Sequence, residues 1–387
     1  MLSEYKIKNY DFKLICYILA LNFIGILVIR SATNQDMGMV RRQIIGILAG
    51  LVIMAVISLI PYQKILRYAP AVFVISCIGL ILVILYGRAV GGATRWIVVP
   101  AIGQLQPSEF AKIGIIIFFS WYLDRKNKKL NRPGIVFMTL FIALIPLGLI
   151  AAEPDLSTTI VVLVCILAMI YSAGISYKWI IGAFAVCIPL GLLFFYLLQY
   201  GMIPFLHGYQ AKRILAFVNK TGYTDLNLQQ NNSIMAIGSG QLFGKGLNNN
   251  TLASVKGGNF LSEEQTDFIF AVIGEELGFV GAVVVIVLYA ITVGECFRLA
   301  GKAADMKGRL ICTGMAVLIS FQSFCNIAVA TGIFPNTGLT LPFISYGVSS
   351  LISLYIGIGL VLNVGLQKPD RNAEEKYFSF RKGDLQL

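Results

Sequence analysis

Charge is what this chain lacks. Only 13% of its 387 residues are Asp, Glu, Lys or Arg, against 57% hydrophobic, whereas a soluble domain carries about 25% charged residues. That balance excludes an ordinary soluble domain and points to a polytopic membrane protein. Histidine is almost missing too. His207 is the only one, so a Ser-His-Asp triad or a multi-histidine metal centre would rest on one loop residue that a surface contact explains more simply. The seven cysteines (Cys16, Cys77, Cys165, Cys187, Cys296, Cys312 and Cys325) lie in or at the ends of apolar runs with no CxxC spacing. They read as packing residues, which leaves no disulfide framework and no thiolate metal site. No Walker A, Rossmann or HExxH pattern occurs. The N-terminal MLSEYKIKNYDFK is polar and leads directly into the first apolar run, unlike a cleavable signal peptide.

What the chain has instead is long apolar runs. A helix crosses the hydrocarbon in about 20 mostly apolar residues. Ten stretches qualify: 12–32, 43–60, 69–87, 107–123, 134–152, 156–173, 177–199, 268–297, 309–332 and 343–366. The expected fold is an all-α membrane protein with ten transmembrane helices, read as a single integral membrane domain over 1–387. A long extracellular loop, 200–267, separates helices 7 and 8, and a cytoplasmic tail covers 367–387. With both termini cytoplasmic, roughly 20 of the 31 basic residues lie inside and about 9 outside, with Arg30 and Lys112 within spans. Arg41 and Arg42 run against that bias. The net charge of +12 then reflects inner loops facing anionic lipid, and no nucleic-acid partner is expected. Within the long loop, HGYQAKRILAFVNK mixes basic and apolar residues at helical spacing, which suits a helix lying in the interface.

The few charges near apolar runs are costly, at roughly 2.5–3.5 kcal/mol each on insertion scales, and are therefore functional candidates. Four groups fall on the expected outer side. In QPSEFAK, Pro107 and Glu109 suit a helix start, and Glu109 and Lys112 share one face three residues apart; a structural cap and ion pair would use the same residues. In EPDLS, Asp155 suits an N-cap and Glu153 a solvated turn position. In AIGSGQLFGKG, glycines around Lys245 would present backbone N–H groups to a phosphate or act as a hinge. Finally, five of the 19 acids fall between Glu263 and Glu276. Asp267 marks the boundary from polar SEEQT to apolar FIFAVIG, where partial desolvation would make it a better base. An acidic cap favoured by the helix dipole explains it equally well. Glu275 and Glu276, two turns deeper, require partners or an aqueous cavity.

Together GATRWI, QPSEFAK, EPDLST, RILAFVN, AIGSGQLFGKG, EEQTDFIFAVIGEELG and TGLTLPFISYG resemble the SEDS family of bacterial cell-wall polymerases, which includes RodA, FtsW and SpoVE. These stretches run in family order from the third span to the last. The resemblance implies a ten-helix peptidoglycan glycosyltransferase in the bacterial cytoplasmic membrane. Such an enzyme polymerises lipid II, as donor and acceptor, on the outer face beside a class B penicillin-binding protein. It makes Asp267 the catalytic residue, and carries Arg95, Glu109, Lys112 and Asp155 over as site residues. Lys245 and Ser345 fall in matching stretches and are candidate substrate contacts. A divalent cation, Mg or Mn, is implied by the chemistry, although the sequence holds no dedicated metal site. Two positions depart from the family pattern: Gln265 stands where relatives often carry His, and Val348 where they often carry Gly. The ATGIFPNTGLTLPF stretch leans toward the RodA type. Two other functions fit the same residues less well: a flippase for the lipid-linked precursor, which would want its charges near the midplane, and a scaffold, which would not need Asp267.

Overall fold

The computed structural model describes residues 10–33, 36–90, 93–99, 103–199, 224–248, 264–336 and 338–367. A helix occupies each of the ten apolar runs. In chain order the elements are α1 (Phe12–Ala32), α2 (Met37–Leu59), α3 (Tyr62–Arg67), α4 (Ala69–Tyr86), β1 (Arg88–Val90), β2 (Ala93–Val99) and β3 (Gly103–Leu105). There follow α5 (Pro107–Lys126), α6 (Pro133–Ala152), α7 (Leu156–Ser172), α8 (Tyr177–Gln199), α9 (Thr224–Ser239), α10 (Ile269–Gly301), α11 (Met306–Ala330) and α12 (Val348–Leu366). Among the described residues, seven are long and apolar enough to cross a membrane: α1, α2, α4, α6, α10, α11 and α12. The starts of α1, α2, α7 and α11 are fixed by Asp11, Asp36, Asp155 and Asp305, whose side chains accept from the N–H groups of Leu14, Gly38, Thr158 and Gly308. Each such cap contributes about 1 kcal/mol. A chain with so few acids spends four on capping.

The helices pack around α11 and α12, which bury 72% of their apolar windows where the other five long apolar helices bury 22–39%. Against this centre lie α2 on α12, and α5, α7 and α10 on α11, with α4 outside α5 and α1 beside α10. The outward faces of α4, α6 and α8 expose Ile, Leu and Phe side chains such as Ile75, Phe141 and Phe184. An apolar exterior over helices whose backbone bonds are satisfied internally is what a bilayer accepts.

Three expectations need correction. The fold is not purely helical: β1, β2 and β3 form an antiparallel sheet in that order, with Arg88 opposite Trp96 and Ile97 opposite Leu105. The β-branched run Ile97–Val99 favours this pleated surface. The run at 268–297 is not one straight helix. α10 breaks at Gly278, whose φ of 67° and ψ of −166° lie in a region open essentially to glycine alone. Residues 269–277 are thus a half-helix, buried almost throughout, and the stretch after the kink is long enough to span by itself. The last run starts late, since residues 343–347 turn across the bundle before α12 begins. Part of the expected loop, 224–239, is the helix α9; HGYQAKRILAFVNK, His207 and the tail from 368 lie outside the described residues.

Candidate active site

The turn at 264–268 carries Asp267, and the helix begins only at Ile269. Phe268 is the N-cap and makes no side-chain cap bond, so Asp267 precedes the capping position by one residue. Its backbone is held from three sides. Ser345 Oγ donates to Thr266 O at 2.6 Å, Tyr346 N donates to Gln265 O at 2.9 Å, and Asn326 Nδ2 donates to Asp267 O at 2.9 Å. Ser345 Oγ in turn accepts from Leu341 N at 2.8 Å. The 338–346 segment, which links α11 to α12, therefore grips the turn.

Asp267 and Arg95, the latter projected from β2, both border Gly338. A Cβ built there would lie 3.2 Å from Asp267 Oδ2 and 4.0 Å from Arg95 Nη1, so a side chain would crowd the carboxylate and reach the guanidinium. Gly338 also has a φ of 74°, which disfavours any other residue. Arg95 Nη2 donates to Pro154 O at 2.6 Å, and its Nε lies 3.7 Å from Asp155 Oδ2. Asp155 doubles as the α7 cap, accepting from Thr158 N at 3.1 Å and Thr158 Oγ1 at 2.9 Å. Glu153 is not solvated as its turn position suggested. It is fully buried and neither carboxylate oxygen has a hydrogen-bond partner. Burial, then the neighbouring Asp155 charge, pushes its carboxyl up to about 8, with Arg95 opposing.

Glu109 and Lys112 form the expected pair one turn into α5, with Nζ 2.8 Å from Oε1 and both side chains buried. Lys112 also donates to Gln322 Oε1 at 2.9 Å. Gln322 Nε2 then donates to Thr340 O at 3.0 Å, two residues beyond Gly338. Gln322 and Asn326 are one turn apart on α11, a rise of about 6 Å. The cation in the bundle and the turn carrying Asp267 are thus tied to the 338–340 segment by one helix face.

Lys245 lies at the other end of the half-helix. Its Nζ pairs with Glu275 Oε1 at 2.8 Å, while the N–H groups of Lys245 and Gly246 donate to the carbonyls of Glu275 and Glu276. Those N–H groups are therefore engaged, which replaces the phosphate-cradle and hinge readings with a clasp on the kink. Glu276 accepts from Ser31, so both deep acids have the partners they need. Arg95, Asp155 and Asp267 converge; Glu109 and Lys112 join them through Gln322; Ser345 supports the turn; Lys245 stands apart. Asn326 and Gln322 escaped the motif reading, and Glu153 was placed in solvent by it. Asn326 and Gln322 were detectable as two amides at i and i+4 in an apolar run, where polar side chains mark function.

A carboxylate and a guanidinium bordering one glycine, linked through Gln322 and Asn326 to a buried ion pair, have the residue types that proton abstraction next to a developing anion calls for, and the chain is similar to known proteins along most of its length. The model for the FtsW/RodA/SpoVE cell cycle proteins matches residues 12–369. The probable peptidoglycan glycosyltransferase FtsW of Trichlorobacter lovleyi is 35% identical over 374 residues, 94% of each chain. The peptidoglycan glycosyltransferase MrdB of Escherichia coli is 35% identical over 364 residues, 92% of this chain and 93% of that one. Among solved structures, a chain of a peptidoglycan synthase complex that coordinates polymerization and crosslinking aligns at a TM-score of 0.77 with 28% identity, over 92% of this chain and 97% of the other. The rod shape determining protein RodA of Thermus thermophilus aligns at 0.68 with 28% identity, over 92% and 96%. The chain belongs to the FtsW/RodA/SpoVE family of cell cycle proteins.

Proposed function

We propose that this protein is a peptidoglycan glycosyltransferase that polymerises lipid II at the outer face of the bacterial cytoplasmic membrane. Its ten apolar helices would cross the membrane with both termini inside, and a class B penicillin-binding protein would cross-link the strands. The RodA type is preferred. The observation that carries the reading is that Asp267 and Arg95 border the same glycine, Gly338. In the proposed step, Asp267 takes the proton from the acceptor sugar 4-hydroxyl. The freed oxygen bonds to the donor anomeric carbon as the bond from that carbon to the pyrophosphate oxygen breaks, and polyprenyl pyrophosphate leaves. Arg95 meets the growing negative charge. Lys112 and its partner Glu109 add a fixed dipole within the bundle, Asp155 orients Arg95, and Lys245 and Ser345 hold the two ends of the Asp267 half-helix.

A protein-held metal ion fits the described residues poorly. Among them no three metal-ligating side chains converge, and Arg95 already lies beside Asp155. No step is assigned to a metal here. Asp155 and Asp267 stand at the starts of α7 and α10 and Arg95 on the sheet between α4 and α5, and placement at element ends rather than mid-helix favours chemistry over lipid translocation. Asp267→Asn, equal in size and unable to take the proton, should abolish glycan polymer from purified lipid II while leaving membrane insertion and thermal stability intact. Polymer at the normal rate would refute the assignment. Lipid translocation into vesicles without polymer from the unaltered protein would establish the flippase instead.

A further inference from the structure

Two of the three clamps on the Asp267 turn are side chains, Ser345 and Asn326, and only Asn326 comes from a helix. Asn326, on α11, is 1% exposed. Its Nδ2 donates to two carbonyls at once, Asp267 O at 2.9 Å and Leu339 O at 2.6 Å. Two acceptors on one side can be satisfied only by the amide nitrogen, so the orientation of the group follows from its neighbours. Both hydrogens are used. The amide oxygen has no hydrogen-bond partner, which is an unfavourable arrangement for a residue retained only to fill space.

The two carbonyls belong to the two segments that border Gly338. One is the residue that carries the carboxylate. The other directly follows Gly338, whose Cβ position lies 3.2 Å from Asp267 Oδ2. A single amide therefore fixes the separation between the Asp267 turn and the 338–340 segment. We propose that Asn326 is a positioning residue for the glycosyl transfer, holding Asp267 in its working position against the 338–340 segment through the bridge between Asp267 O and Leu339 O. This rests on Asp267 being the base. Asn326 itself touches no substrate. Gln322, one turn below, ties Lys112 to Thr340 of the same segment, so the segment is anchored at both levels.

The test uses purified full-length protein in detergent, with initial rates of polymer formation from lipid II normalised to folded protein. Asn326→Ala should lower kcat about a hundredfold, the scale of a misplacement near 1 Å, with KM for lipid II and the unfolding midpoint little changed. Asn326→Asp, equal in volume, turns an oxygen toward both carbonyls and should do no better than Ala. In either variant the acidic limb of kcat against pH should move, because the displaced carboxylate leaves the surroundings that set its proton affinity. A merely structural residue would change the amount of folded enzyme and leave that limb in place. Near-normal kcat in Asn326→Ala, near-normal kcat in Asn326→Asp, or an unmoved acidic limb each overturn the proposal. If Asn326→Ala does not fold, Asn326→Asp decides by the same criteria, and failure of both to fold also overturns it. Asp267→Asn is run alongside. If it polymerises normally, the base assignment fails; if it is inactive while Asn326→Ala is normal, the positioning role alone fails.

Discussion

Replacing Lys112 by Met tests whether the charge pair in α5 is held as a unit. Met keeps the methylene volume and removes the ammonium. Lys112 Nζ bonds Glu109 Oε1 at 2.8 Å and Gln322 Oε1 at 2.9 Å, and both ionic side chains are almost fully buried. Glu109 Oε2 has no hydrogen-bond partner, so the substitution strips the carboxylate of its ammonium while leaving it in the bundle. Breaking a buried pair from one side costs about 3–5 kcal/mol, because an uncompensated charge remains. Removing both charges in Glu109→Met/Lys112→Met leaves only the Gln322 oxygen without its donor, at about 1 kcal/mol. The double variant should therefore be more stable than Lys112→Met alone, with a coupling energy of at least about 2 kcal/mol. Equilibrium unfolding in detergent of the unaltered protein, both single variants and the double variant measures this. A Lys112→Met protein as stable as its parent, or a double variant no better than the single, would refute the reasoning.

Three further outcomes follow from the site and its supports. Glu153 holds its proton up to about 8 in the folded chain against an ordinary value of 4.5. Its contribution is full below 4.5 and is lost as pH rises through about 8, so Glu153→Gln should flatten the unfolding midpoint across pH 4–9 and raise it at the alkaline end. Gly278→Ala puts a Cβ against Gly244 N in a backbone conformation closed to alanine; a loss of roughly 1–3 kcal/mol is expected in the same unfolding assay. Arg95→Lys cannot reproduce the contacts to both Pro154 O and Asp155, since a point charge replaces a planar fork. Steady-state kinetics should show kcat/KM for lipid II reduced at least about tenfold.

Much of the molecule was legible before any coordinates. The helices could be placed because insertion demands long apolar runs, and QPSEFAK announced both the start of α5 and its i,i+3 pair. Asp155 was read as a cap and is one. Glu153 was misjudged because a tight turn in sequence does not reveal what packs over it. The kink at Gly278 was hidden inside a continuous apolar run, since hydropathy averages over direction and cannot see a change of axis. Lys245 was read beside glycines as a phosphate cradle because the partner carbonyls of Glu275 and Glu276 lie about 30 residues away in the chain.

Composition and spacing by themselves determined the membrane setting, the helix positions and the small set of charges worth suspecting, because the bilayer penalises charge in a way that any sequence must record. Tertiary structure decided which of those charges work together. Arg95, Asp155 and Asp267 come from a strand, a turn between helices and the approach to a half-helix, and the contact of Arg95 with Asp155 and the approach of Arg95 and Asp267 to Gly338 depend on distances that no local pattern encodes. The same holds for Asn326. Its amide is an ordinary polar residue in an apolar run until two carbonyls, one 59 residues and one 13 residues away, close on it from opposite walls of the site.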